Sequence, residues 1–288
     1  MPRLIVRTAA VVLLLSACGT TTTVPEPGTG GPSATGSAAP AGVAASPPVK
    51  LDGTEFDAGG LSGWRWLHEV EGGRNDLLAH DVGRTETGAL HVEPKVSAWF
   101  ERLRAPYLFQ EREGDVLMVA RVRAAGRNAE VPGKPYSLAG LMLRVPGADV
   151  DDWVFITTGT GVGGRPQLEV KTTRKGQSRL RLLGGAPGWV DLALARVGGA
   201  VVSLYRLPGG QWRVGARYDR TDLPARLQWG INAYTSWTSA APSPDLKADV
   251  DYVRFYRPGI PSEWIHSATG YRPDEDLVRH LVPADLAD

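Results

Sequence analysis

Acidic pairs, histidines and aromatic rings are the groups through which this 288-residue chain could do chemistry. Two carboxyls on one strand face can cleave a glycosidic bond, one as acid and the other as base or nucleophile. The nearest such string is Glu111-Arg112-Glu113-Gly114-Asp115, and its glycine marks it as a solvated turn ahead of a strand near Val116. Asp249 and Asp251 share a face of a late strand, the first read as solvated and the second as fixing a neighbouring backbone. Asp149, Asp151 and Asp152 offer oxygen ligands to a calcium ion, but their spacing fits no EF-hand loop, so a solvated acidic loop is preferred and no cofactor is expected. The histidines at 68, 80, 91, 266 and 280 lie outside the central strands, and no His-x-x-x-His or Gly-x-Ser-x-Gly string supports metal- or serine-based hydrolysis. Gly159 to Gly164 is glycine-rich, but no helix follows to receive a phosphate, so it reads as a hairpin tip.

A second chemistry is stacking. An aromatic ring against the apolar face of a pyranose, with planar polar groups for the hydroxyls, makes a sugar site. Alternation sorts the candidates. In Gln228–Tyr234, Trp229, Ile231 and Ala233 form a core face, which leaves Gln228, Gly230, Asn232 and Tyr234 opposite. Leu141 and Leu143 likewise turn Met142 and Arg144 outward, and Val154 and Ile156 turn Trp153, Phe155 and Thr157 outward. If these strands are neighbours, Arg144, Trp153, Thr157, Asn232 and Tyr234 converge on one open surface, rimmed from loops by Trp99, Tyr136 and Trp237. The competing reading is a minor hydrophobic layer, covered by the opening segment or the tail. Trp64 and Trp66 share a face and read as packing against the domain's end.

The elements that must position these groups are strands. Period-two or short continuous apolar runs occupy Ala89–Glu93, Asp115–Ala124, Leu138–Val145, Trp153–Thr158, Gln167–Thr173, Ser178–Leu183, Val190–Val197, Ala200–Leu207, Trp212–Tyr218, Leu227–Tyr234 and Ala248–Tyr256. Gly198-Gly199 and Pro208-Gly209-Gly210 supply tight hairpin turns. The expectation is all-β: a two-layer antiparallel β-sandwich or jelly roll over residues 50–258. Residues 259–288 form a tail with a short helix after Pro273, acids first and bases last as its dipole favours. Trp264 and Tyr271 are expected to pin that tail.

The N-terminus is of another kind. Arg3 and Arg7 precede an apolar run from Ala9 to Leu15, too short to span a bilayer, which needs about 20 residues. Leu15-Ser16-Ala17-Cys18 then resembles the bacterial lipobox, and Cys18 is the chain's one cysteine. The resemblance implies removal of residues 1–17 and acylation of Cys18, which would anchor the chain to a bacterial membrane on its extracytoplasmic side. Residues 18–49 hold Thr, Pro, Gly, Ser and Ala with few charges, and read as a disordered tether reaching about 30 Å.

Lys plus Arg number 32 and Asp plus Glu 31, so the net charge of +1 gives no footing for nucleic acid. A single cysteine excludes a disulfide framework.

The serial order of landmarks carries a resemblance. It runs through Leu61-Ser62-Gly63-Trp64-Arg65-Trp66, Gly88-Ala89-Leu90-His91-Val92, Gly114-Asp115-Val116-Leu117-Met118-Val119, Ala139-Gly140-Leu141-Met142-Leu143-Arg144, Gly230-Ile231-Asn232-Ala233 and Asp251-Tyr252-Val253-Arg254-Phe255. In this order, over roughly residues 52–257, the chain resembles the concanavalin A-like lectin/glucanase superfamily. The resemblance implies stacked, curved sheets with a concave face that holds carbohydrate in many members. The Glu-x-Asp-x-Glu strand of the glucanases is missing. The expected function is therefore non-catalytic glycan binding by a monomer. A glycoside hydrolase or polysaccharide lyase, and an envelope protein-interaction module, stay open as alternatives.

Overall fold

The computed structural model describes residues 44–57, 60–100, 103–147, 152–237, 243–268 and 270–287. Cys18, the signal segment and most of the tether lie outside the described residues. Among the described residues, no helix is long and apolar enough to cross a membrane.

The strands are β1 (Val49–Thr54), β2 (Arg65–Trp66), β3 (Leu77–Val82), β4 (Leu90–Pro94), β5 (Tyr107–Glu113), β6 (Val116–Ala125), β7 (Ser137–Arg144), β8 (Trp153–Thr160), β9 (Pro166–Arg174), β10 (Gln177–Gly184), β11 (Trp189–Val197), β12 (Ala200–Arg206), β13 (Arg213–Asp219), β14 (Arg226–Tyr234) and β15 (Lys247–Arg257). One helical turn, α1 (Leu67–Val70), follows β2, and α2 (Asp274–Leu281) lies in the tail. Two antiparallel sheets result. The first has eight strands in the order β13-β12-β11-β6-β15-β4-β3, with β1 added on β15, and the second has seven in the order β10-β9-β8-β7-β14-β5-β2. This is the expected all-β sandwich.

Alternation builds the core. Val116, Met118, Ala120 and Val122 of β6 meet Leu141 and Leu143 of β7 and Trp229 and Ile231 of β14 between the sheets. Trp64 and Trp66 are buried in this same layer, and Trp64 Nε1 donates to Thr54 Oγ1 at 3.0 Å. The outer face of the first sheet is covered by the tail, where Leu277, Leu281 and Leu286 pack on Leu117, Val119 and Tyr252. Trp264 joins this layer, whereas Tyr271 is exposed and only its ring face meets Arg217, with the guanidinium carbon 4.6 Å from its centroid.

Three expectations need correction. Residues 44–48 lie on the sandwich rather than in a tether: Ser46 N donates to Gly259 O at 2.8 Å and Ala45 packs under the tail. Glu111 and Glu113 are the last positions of strand β5, and the turn begins only at Gly114. Asp249 is buried rather than solvated, and a bulge between Val250 and Tyr252 separates its register from that of Asp251.

Candidate functional site

The expected neighbours are neighbours. Register places Asn232 opposite Gly140, Gly140 opposite Thr157, and Thr157 opposite Glu169, one row across β14, β7, β8 and β9. A parallel row runs Gln228, Arg144, Trp153 and Thr173. Arg144, Trp153, Thr157, Asn232 and Tyr234 therefore share the outer face of the second sheet. Its backbones lie close together in the middle: a Cβ on Gly230 would run into Leu108 O, and one on Gly140 into Ile156 O.

This face is not open. β7 and β8 are buried at every position, which requires cover on both sides of the sheet. Arg144, Trp153, Thr157 and Asn232 are each 0% exposed, and Tyr234 is buried with them. The cover comes from the opening segment. Trp99 sits edge-on between Tyr107 and Trp153, at 5.9 and 5.4 Å between ring centroids. Its carbonyl accepts from Lys171 Nζ at 2.8 Å. Trp99 is thus a plug over the middle of the face and not a rim residue.

Arg144 is committed to structure. Its Nη1 and Nη2 donate to Glu71 Oε1 and Oε2, both at 2.8 Å, and Nη1 also donates to Gln228 Oε1 at 2.6 Å. Gln228 Nε2 and Gly147 N donate to Glu71 Oε1 as well, at 2.8 and 2.9 Å. Burial alone would raise the Glu71 pKa, but the Arg144 fork and these amides override it and hold it at about 2. The pair pins the segment after α1 across the sheet end.

At the other end of the face lies a single buried carboxyl. Tyr234 Oη donates to Glu169 Oε2 at 2.9 Å, and Thr157 Oγ1 lies 3.5 Å from the same hydroxyl. Burial raises the Glu169 pKa against the opposing pull of Tyr234 and Lys171. Burial likewise lowers Lys171. Alternation could have exposed Glu169 and Lys171 as members of this face, since both share a strand face within β9. Asn232 Nδ2 and Oδ1, with the indole nitrogens of Trp99 and Trp153, have no hydrogen-bond partner among the described residues.

Access begins where the plug ends. Trp237 and Phe100 stack at 5.5 Å and 24°, and Tyr136 tilts against Trp237 at 6.3 Å. Trp237 is 36% and Phe100 38% exposed. Trp237 also bounds a cleft of about 540 Å³ between the α1 segment and the cover at 96–98 and 103–106, walled by His68, Arg74, Asp76, Arg104 and Tyr107. Of the eight residues expected to bind ligand, Trp237 and Tyr136 are the two at the surface, and Phe100 joins them.

The other acids are engaged. Arg65 Nη2 meets Glu111 Oε1 at 3.1 Å and Arg226 Nη2 meets Glu113 Oε1 at 2.7 Å. Asp149 and Asp151 lie outside the described residues, and Asp152 Oδ1 accepts from Lys175 N at 2.9 Å. Among the described residues no group of His, Cys, Asp or Glu is placed to hold a metal ion. On the first sheet, His91 Nδ1 lies 2.7 Å from Asp249 Oδ1 and its Nε2 3.3 Å from Glu93 Oε1, a buried pairing that the sequence did not reveal.

No protein-family profile matches the chain, and no curated protein matches it in sequence. Solved structures do match it in shape. A functionally unknown protein from Saccharomyces cerevisiae aligns at TM-score 0.52 and 17% identity, over 69% of this chain and 98% of that one. Xylan β-1,4-xylosidase from Bacillus halodurans C-125 aligns at 0.55 and 15% identity, over 72% of this chain and 39% of the enzyme. Bacteroides ovatus xyloglucan PUL GH43B aligns at 0.51 and 15%, over 70% and 38%. The chain thus spans about two fifths of each of these two proteins. The likeness is one of fold alone, an antiparallel β-sandwich.

Proposed function

We propose that this chain is a non-catalytic glycan-binding module, held to the outer side of a bacterial membrane through acylated Cys18. The observation that carries the reading is the exposed Trp237–Phe100 stack beside a polar cleft. An exposed ring offers the flat apolar surface that a pyranose face needs, and Arg74, Asp76 and His68 offer donors and acceptors for hydroxyls. The fold supports the class of ligand only by analogy. Xylan and xyloglucan, named for two proteins of similar fold, are first ligands to try.

Hydrolysis has weaker support. Glu71, Glu111 and Glu113 are each tied to arginine, and Glu169 is a single carboxyl under the plug. One observation favours an interaction module instead: the chain's own Trp99 fills the middle of the face.

The test is affinity electrophoresis of the full chain in mild detergent through gels containing neutral polysaccharides, with released reducing ends assayed in parallel. Retardation without release, lost in a folded Trp237→Ala variant, is the expected result. Released sugar would establish catalysis in its place. No retardation on any neutral polysaccharide would hand the reading to the interaction module.

A further inference from the structure

The strands β10 and β13 are each the edge of a sheet, and residues of both line one cleft. A cleft of about 500 Å³ runs there, lined by Arg174, Arg179, Arg217, Tyr218, Arg220 and His266, with Asp219 as the acid on its wall. Three of these guanidiniums are held in place. Arg174 Nη2 and Arg220 Nη2 donate to Asp222 at 2.7 and 2.9 Å, and Arg217 is bonded to Asp274 and to the Arg272 carbonyl. Arg179 is exposed and makes no ion pair among the described residues, and the same holds for Arg181 two positions on. Over 165–181 the sequence sets Arg165, Lys171, Arg174, Lys175, Arg179 and Arg181 against one acid, Glu169; Lys171 and Glu169 are buried under the plug, and the other five bases are exposed. A chain of net charge +1 has concentrated its excess of positive charge on one hairpin.

We propose that the mouth between β10 and β13 is a second binding site, which takes the carboxylate or sulfate groups of an acidic polysaccharide. The choice of a polysaccharide among polyanions rests on the glycan reading above. The chemistry is that of guanidinium: a planar fork of donors that meets a carboxylate or sulfate through paired hydrogen bonds. Arg179 and Arg181 occupy alternate positions of one strand, so they lie roughly 7 Å apart on the same face and present a row of charge to an extended chain. The geometry disfavours a lipid surface. Leu180 and Leu182, both 47% exposed, point to the opposite face of β10, so the apolar and basic side chains of this hairpin cannot meet one plane together. The site is a groove between sheet edges, a shape suited to a chain.

The test uses the full chain in mild detergent on immobilised polygalacturonate, with neutral xylan as the comparison. The expected result is retention on polygalacturonate that weakens steeply with salt. An Arg179→Ser/Arg181→Ser variant should bind at least tenfold more weakly. A charge-matched Arg84→Ser/Arg257→Ser variant, altered at exposed positions elsewhere, should stay within twofold of the parent. Equal losses in the two variants would show attraction to net charge only, and no retention of the parent would end the proposal. Arginine-dependent preference for phosphatidylglycerol over phosphatidylcholine vesicles, with weaker retention on polygalacturonate, would replace it with a membrane contact. The Trp237 site fails independently, because xylan retention is read separately from polygalacturonate retention.

Discussion

Arg144 and Glu71 stand 73 residues apart in sequence and meet fork to fork, with both nitrogen–oxygen distances at 2.8 Å. Arg144 is fully buried, and the Glu71 side chain is 12% exposed. Removing one member of such a pair strands the other charge, which costs about 3–5 kcal/mol. Glu71→Ala should lose stability on that scale, read as a shifted midpoint in urea. The pH dependence has a definite sign. A carboxyl whose folded pKa is about 2, below its ordinary 4.5, contributes stability that is complete above pH 4.5 and lost on acidification towards 2. The parent should show that loss and Glu71→Ala should not. A variant within about 1 kcal/mol of the parent would mean that the segment after α1 is held by its apolar contacts instead.

Trp99 and Trp237 should separate stability from binding. Trp99 is buried edge-on against two rings, and deleting such a side chain costs about 3–5 kcal/mol. Trp237 is exposed on one side, so Trp237→Ala should cost less than about 1 kcal/mol while abolishing retention in polysaccharide gels. The pair of measurements is thermal unfolding and gel mobility on the same samples. Unchanged mobility of the folded Trp237→Ala variant would remove the aromatic rim from the binding account.

What could be seen in advance was periodicity. The faces of β7, β8 and β14 follow from alternate apolar positions, and the structure puts Trp229 inward and Asn232 outward as alternation requires. Cover by the opening segment is the competing reading that the sequence offers, and what spacing does not show is the set of contacts that holds it. Lys171 reaches the Trp99 carbonyl across 72 residues, and the Glu71 fork is similarly remote. Such pairings are set by topology, on which local spacing is silent. β5 escaped notice for a local reason: Glu111, Glu113 and Gly114 give its end the composition of a turn. His91 and Asp249 are 158 residues apart and meet only because β4 pairs with β15, so the reading of Asp249 as solvated fails for a topological reason.

That His91 pairing predicts a loss of stability in alkali. Burial would lower its pKa, but the hydrogen bonds and charges of Asp249 and Glu93 prevail and raise it above its ordinary 6.5. A base with a raised folded pKa contributes stability that is complete below pH 6.5 and lost as pH rises through the folded value. The melting temperature should therefore decline across that window, and His91→Gln should be flatter there and less stable at pH 6. A parallel slope in the variant would place the titration elsewhere.

Glu169 works in the opposite sense for a carboxyl. It is 3% exposed, and burial raises its pKa despite the Tyr234 hydroxyl and the Lys171 charge. Above pH 4.5 the unfolded chain has released a proton that the folded chain still holds, so stability falls as pH climbs through the folded value. Glu169→Gln removes that term and keeps an oxygen to accept from Tyr234. The variant should melt higher than the parent at pH 8 and no higher at pH 4, where the parent's carboxyl is neutral. A variant that melts lower at pH 8 would identify Glu169 and Lys171 as a stabilising ion pair beneath the plug. Replacing Lys171 by Met would then carry a comparable penalty, since either change leaves one buried charge without its counterpart.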